Sequence, residues 1–116
     1  LQARNSAGEW IDVTPKAGTL VVNVGNVLER WTNDVYRSML HRALHIGREP
    51  RVSAAVVGYP EATTVVHCID TCQSPGNPPR YEDVTTAEYV RVLREDAYRT
   101  GRPAVAAETA QRLRSN

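Results

Sequence analysis

Three side chains near the middle of this sequence could do chemistry together: His41, Arg51 and Ser53. A neutral imidazole is a good ligand for a transition metal, provided a carbonyl or carboxylate holds its second nitrogen and fixes the tautomer. Arg51 and Ser53 lie two apart on a predicted strand, so both side chains leave from one face. A planar guanidinium grips a carboxylate through two parallel hydrogen bonds and a neighbouring hydroxyl donates a third, so the pair reads as a carboxylate clamp. Ala55 continues that face with a side chain small enough to leave room for a ligand. Singly these are weak signals, because a lone histidine on a strand is more often a hydrogen-bonded structural residue and a lone arginine is usually solvated. Other candidates are weaker still. His45 shares a face with His41 by strand parity, while His67, Cys68 and Cys72 lack the spacing of zinc ribbons or knuckles, and the two cysteines read as buried thiols near a loop.

The elements that position these residues read as short strands followed by helices. Glu9 to Val13 and Thr19 to Val24 are rich in β-branched residues and flank Pro15-Lys16-Ala17-Gly18, which predicts a hairpin. Val27, Leu28 and Trp31 recur at helical spacing over Gly25 to Trp31, and the turn formers Asn33-Asp34 close that short helix. Arg42 to Ile46 and Arg51 to Val57 predict a second hairpin around Gly47-Arg48-Glu49-Pro50. Three prolines and a glycine between Ser74 and Pro79 end the strand-forming part. Thr85 with Glu88 forms a capping-box pattern, and Tyr89, Val90, Leu93 and Ala97 give the apolar stripe of a helix over Thr86 to Arg99, stopped by Gly101 and Pro103. Ala104 to Leu113 predicts a further helix. The fold class is α+β with an antiparallel sheet, divided as a partial sheet domain over 1–73, a Pro-rich loop over 74–84 and a helical segment over 85–116.

Composition narrows the function classes. The chain has 116 residues, 41% hydrophobic and 23% charged, in the ordinary globular range for one modest domain. Fourteen Lys and Arg against thirteen Asp and Glu give a net charge of +1 without a long like-charge run, so neither nucleic acid nor an anionic membrane is an expected partner. The longest apolar stretches, around Leu20 to Val24 and Ala54 to Val57, fall far short of the roughly 20 residues of a membrane-spanning helix. Two cysteines four residues apart do not make a secreted disulfide framework, and a cytoplasmic setting is expected. The chain starts at Leu1 rather than Met and lacks the pattern of a secretory signal, so it is expected to be either processed or, the favoured reading, a piece of a longer protein.

The order of local motifs is the most specific feature. Thr19-Leu20-Val21-Val22-Asn23-Val24-Gly25 is followed by Glu29-Arg30-Trp31-Thr32-Asn33, by Tyr36-Arg37-Ser38, by His41-Arg42 and, ten residues after His41, by Arg51-Val52-Ser53. Pro78-Pro79-Arg80-Tyr81 and then Thr85, Glu88 and Tyr89 complete the series. This resembles the iron(II)/2-oxoglutarate-dependent dioxygenases related to isopenicillin N synthase, over nearly the whole chain. The resemblance implies the C-terminal portion of a double-stranded β-helix, or jelly roll, followed by one or two helices. It implies Fe(II) as cofactor, with His41 as the second histidine of a facial two-histidine, one-carboxylate site, and 2-oxoglutarate as co-substrate, held by Arg51 and Ser53. The implied reaction hydroxylates or desaturates a small organic substrate with molecular oxygen while 2-oxoglutarate is decarboxylated to succinate.

Departures from the family pattern accompany the likeness. Its His-x-Asp motif belongs on a strand before Leu1, and a jelly roll needs about eight strands where about five are legible, so the partner expected for this chain is the missing N-terminal half of the same domain. By itself the chain is expected to be inactive. Asn26 stands where most relatives have Asp, Asn33-Asp34 where they commonly have Asn-Gly, and Ala54-Ala55-Val56-Val57 where many have Pro and a run of Phe, which implies an altered substrate pocket. Two rival functions follow: a truncated, non-catalytic relative acting as a binding or assembly module, and an oxidase of the same fold that uses no 2-oxoglutarate, disfavoured by Arg51 and Ser53.

Overall fold

The structure, a computed structural model, describes residues 1–45, 47–50 and 52–101. Chain contacts divide it into two compact units, one formed by Leu1–Asn23 with Met39–Val57 and the other by Val24–Ser38 with the chain from Gly58 onward.

The first unit holds a three-stranded antiparallel sheet of β1 (Gln2–Arg4), β2 (Trp10–Asp12) and β3 (His41–Arg42), with β1 in the centre. Its register pairs Gln2 with Asp12, Ala3 with Ile11 and Arg4 with Trp10 on one side, and Gln2 with Arg42 and Ala3 with His41 on the other. The connection between β1 and β2 is a tight loop. Asn5 N–H donates to Glu9 O at 2.9 Å, Gly8 N–H donates to Asn5 O at 3.0 Å, and the Asn5 side chain accepts from Glu9 N–H at 2.9 Å. Gly8 takes φ +84°, a conformation natural to a residue without Cβ.

This hairpin differs from the expected one. β2 pairs with β1 rather than with Thr19 to Val24, which is irregular although Thr19 N–H and Lys16 O close a turn at 3.2 Å. Strand propensity expresses itself only where a neighbour covers the side chains, and Leu20 and Val22 are 91% and 90% exposed. The second expected hairpin is reduced in the same way: among its described residues only His41–Arg42 form a strand, and residues 52–57 are irregular, with Val52 and Val56 98% and 97% exposed. Ile46, Arg51 and the helix expected over Ala104 to Leu113 lie outside the described residues.

The second unit is built from α1 (Asn26–Trp31), the strand pair β4 (Val65–Val66) and β5 (Val84–Thr85), a single 3₁₀ turn at Asp70–Cys72, and α2 (Thr86–Thr100). Its core is Val27, Val66 and Tyr89, with Trp31, Val84 and Leu93 packed around them. α2 starts as expected: Thr85 Oγ1 accepts from Glu88 N–H at 3.3 Å, and Gly101 at φ +61° caps the other end by donating to Ala97 O at 3.0 Å. Its buried face is rotated from the expected stripe, because Val92 and Asp96 are buried with Tyr89 while Ala97 is exposed. Thr85→Ala should lower stability by about 1 kcal/mol, read as a lower urea midpoint, whereas a neutral change would show that the cap is dispensable. Among the described residues, no helix is long and apolar enough to cross a membrane.

Candidate metal and co-substrate site

β3 is two residues long, so its register alone determines where His41 faces. Residues paired across antiparallel strands share a face and neighbours along a strand alternate. His41 therefore lies with Ala3 and Ile11 on one face, while Arg42, Gln2, Asp12, Arg4 and Trp10 lie on the other. The chain entering β3 is pinned by Arg4 N–H, which donates to Leu40 O at 2.8 Å. One residue earlier, Met39 O stands 3.1 Å from His41 Nδ1. A carbonyl oxygen only accepts, so Nδ1 carries the proton in this contact and Nε2 presents the lone pair that a metal would need. This is the second-nitrogen partner that a metal-ligating histidine requires, supplied by backbone.

Ser53 lies in an exposed, irregular stretch of the same unit, and Arg51 is outside the described residues. Residues 52–57 form no strand, so the strand alternation from which a shared face is expected does not apply to Ser53. Among the described residues, no three His, Cys, Asp or Glu side chains gather closely enough to hold a metal ion. His41 is thus a single donor that fits one position of an iron site. Cys68 and Cys72 are free thiols, and burial, reinforced by Cys72, pushes the Cys68 thiol up, which suits a packed thiol rather than a thiolate ligand.

The second unit contains a polar node that the sequence reading missed. Asn33 and Asp34 both sit in the left-handed region, at φ +52° and +67°, and Asp34 N–H donates to Glu29 O at 3.0 Å to close α1. Asn33 is buried; its amide donates to Pro78 O at 3.0 Å and Asn77 O at 3.3 Å, and its Oδ1 accepts from Arg80 N–H at 2.9 Å. Asp34 takes the other side, accepting from Tyr81 OH at 2.5 Å and pairing with Arg80 Nη1 at 2.7 Å. The buried Arg30 guanidinium donates to Glu82 O, with its Cζ 5.0 Å and 5.5 Å from the ring centres of Tyr81 and Tyr89.

Burial raises the Tyr81 phenol well above its usual value, with the hydrogen bond to Asp34 acting in the same direction, and pushes Tyr89 up to about 12. Desolvation lowers Arg30, against the pull of both tyrosines. The node thus ties Glu29–Asp34 to Pro78–Tyr81, two motifs far apart in sequence, and its chemistry is that of a brace. The available signal was Asn33-Asp34 itself, two residue types that tolerate positive φ.

Comparison with known proteins gives consistent findings. A profile of the 2OG-Fe(II) oxygenase superfamily matches residues 1–58, half of the chain and the part that contains His41, Arg51 and Ser53. Kihadalactone A synthase of Citrus sinensis is 38% identical over 81 residues, covering 70% of this chain and 24% of that protein. The 2-oxoglutarate-Fe(II) type oxidoreductase hxnY of Emericella nidulans is 32% identical over 92 residues, covering 79% and 26%. Among solved structures, a protein assigned to the 2OG-Fe(II) oxygenase family from Caulobacter crescentus superposes with a TM-score of 0.66 at 30% identity, over 81% of this chain and 33% of that one. The chain spans about a quarter of the length of the curated relatives it matches.

Proposed function

The chain belongs to the 2OG-Fe(II) oxygenase superfamily, and on that footing we propose that it is the C-terminal part of the catalytic jelly roll of an enzyme that oxidises a small organic substrate. The family uses Fe(II) and 2-oxoglutarate. When bound, they supply the oxidising chemistry, in which 2-oxoglutarate is decarboxylated to succinate as molecular oxygen is consumed and the substrate is hydroxylated or desaturated.

The share of this chain is to hold and orient. His41 offers Nε2 to the metal, and the observation that carries the reading is Met39 O at 3.1 Å from Nδ1, which holds the imidazole in the tautomer a ligand needs. Arg51 and Ser53 hold the distal carboxylate of 2-oxoglutarate, the guanidinium through two parallel bonds and the hydroxyl through a third. The His-x-Asp ligands come from further strands of the same domain. Support for those strands comes from side chains that a jelly roll buries and that stand open here, among them Ile11, Leu20, Val22, Val52 and Val56, 51% to 98% exposed.

Succinate formation by the full-length protein, supplied with Fe(II), 2-oxoglutarate and candidate substrates, is the direct test; its absence in a protein shown to bind iron would overturn the reading. Arg51→Lys should raise the KM for 2-oxoglutarate by about tenfold or more with a smaller change in kcat, because Lys keeps the charge and loses the second parallel bond. An unchanged KM would remove Arg51 from the clamp. The second reading, a non-catalytic binding or assembly module, draws on the absence of a metal-ligand cluster among the described residues and predicts no iron-dependent succinate under any substrate.

A further inference from the structure

The face of the sheet opposite His41 carries a set of contacts that crosses all three strands. Arg42 Nε donates to Gln2 Oε1 at 2.9 Å, Gln2 Nε2 donates to Asp12 Oδ1 at 2.9 Å, and the Arg42 guanidinium carbon lies 4.1 Å from the centre of the Trp10 ring. Gln2 can stand between these partners in one sense only. Arginine only donates and an ionised carboxylate only accepts, so the amide oxygen faces Arg42 and the amide nitrogen faces Asp12. The guanidinium meanwhile reaches from β3 across β1 to the ring on β2, about 10 Å at ordinary strand spacing.

The strand thus clamped has only two ladder pairs, Gln2 with Arg42 and Ala3 with His41. Ladder bonds over so short a length specify register weakly, and a slip of one residue would turn His41 to the opposite face and Arg42 into its place. We propose that Arg42, with Trp10 as its stacking platform, is a positioning residue that sets the register of β3 and thereby aims His41 at the metal. The inference rests on His41 being a metal ligand and adds the reason why the residue beside it is a stacked arginine.

The test is titration of the metal-free full-length protein with Co(II), whose visible bands report ligand geometry, together with the thermal midpoint of the metal-free form. Arg42→Leu and Trp10→Leu should each weaken Co(II) binding by ~10–100-fold and shift the bands, the range for residues that orient a metal-ligating histidine. Arg42→Lys, which keeps a cation over the ring, should recover part of the affinity and keeps the test open if Arg42→Leu fails to fold. Co(II) affinity and bands that stay at wild-type values in Arg42→Leu or Trp10→Leu, with only the thermal midpoint lowered, would overturn the inference while His41→Ala still abolishes binding. Wild-type affinity in His41→Ala would overturn the ligand assignment itself.

Discussion

His41→Ala in the full-length enzyme should reduce iron-dependent succinate formation to background. On the proposed assignment the imidazole is one donor of a site in which every donor fixes geometry, and among the described residues no three His, Cys, Asp or Glu side chains gather to form an alternative site. Losing a residue that merely orients a ligand costs about 10–100-fold, and losing the ligand itself should exceed that. Supplying more Fe(II) should restore little, since the alanine leaves no donor at the position. His45→Ala is the matched control: it removes a second imidazole from the same short stretch and should leave succinate formation at its wild-type rate. Comparable rates for the His41 and His45 variants would place the iron elsewhere.

Asn33→Ala should have the largest effect on stability, about 3–5 kcal/mol, out of the roughly 5–15 kcal/mol that holds a folded domain together. The residue is 2% exposed, and removal of its side chain takes a hydrogen-bond partner from the Pro78 and Asn77 carbonyls and from the Arg80 N–H. Each lost hydrogen bond costs about 0.5–1.5 kcal/mol net. Alanine at φ +52° adds about 1 kcal/mol of backbone strain, which asparagine tolerates better. Asn33→Asp should fare little better, because a carboxylate accepts from Arg80 N–H but points lone pairs at two carbonyls. Urea unfolding of the variants gives the number, and a loss below about 1 kcal/mol would mean that other contacts hold Pro78–Tyr81 in place.

Legibility in the sequence followed the range of the forces involved. α2 was readable because its cap, its period and its stop are all local: Thr85, the spacing of Tyr89 and Leu93, and Gly101. α1 was readable for the same reason. The first hairpin pairs differently from its sequence pattern because Thr19 to Val24 has the composition of a strand but, among the described residues, no strand to pair with, whereas Gln2–Arg4 has a partner on each side and no distinctive pattern. The pair β4 and β5 was not read as such, since two-residue strands display no alternation. His41, Arg51 and Ser53 were singled out by the order and spacing of motifs, while the atom that orients His41 belongs to the backbone of Met39 and has no signature. Likewise the partners of Asn33 are main-chain atoms of Asn77, Pro78 and Arg80, visible only once the chain has folded back.

That choice of partners has an evolutionary consequence. Because the amide of Asn33 binds carbonyls and an N–H rather than side chains, a substitution that preserves the path of the 77–80 segment also preserves the Asn33 half of the joint, while the Asp34 half needs the side chains of Arg80 and Tyr81. Away from Arg80 and Tyr81 the segment has latitude to drift in chemical character, and lineages can retune that part of its surface without renegotiating the anchor. The latitude is one-sided. Position 33 carries the backbone-directed half of the joint and Asp34 the side-chain half, so mutational tolerance should fall abruptly at these two positions and rise again a few residues either side of them.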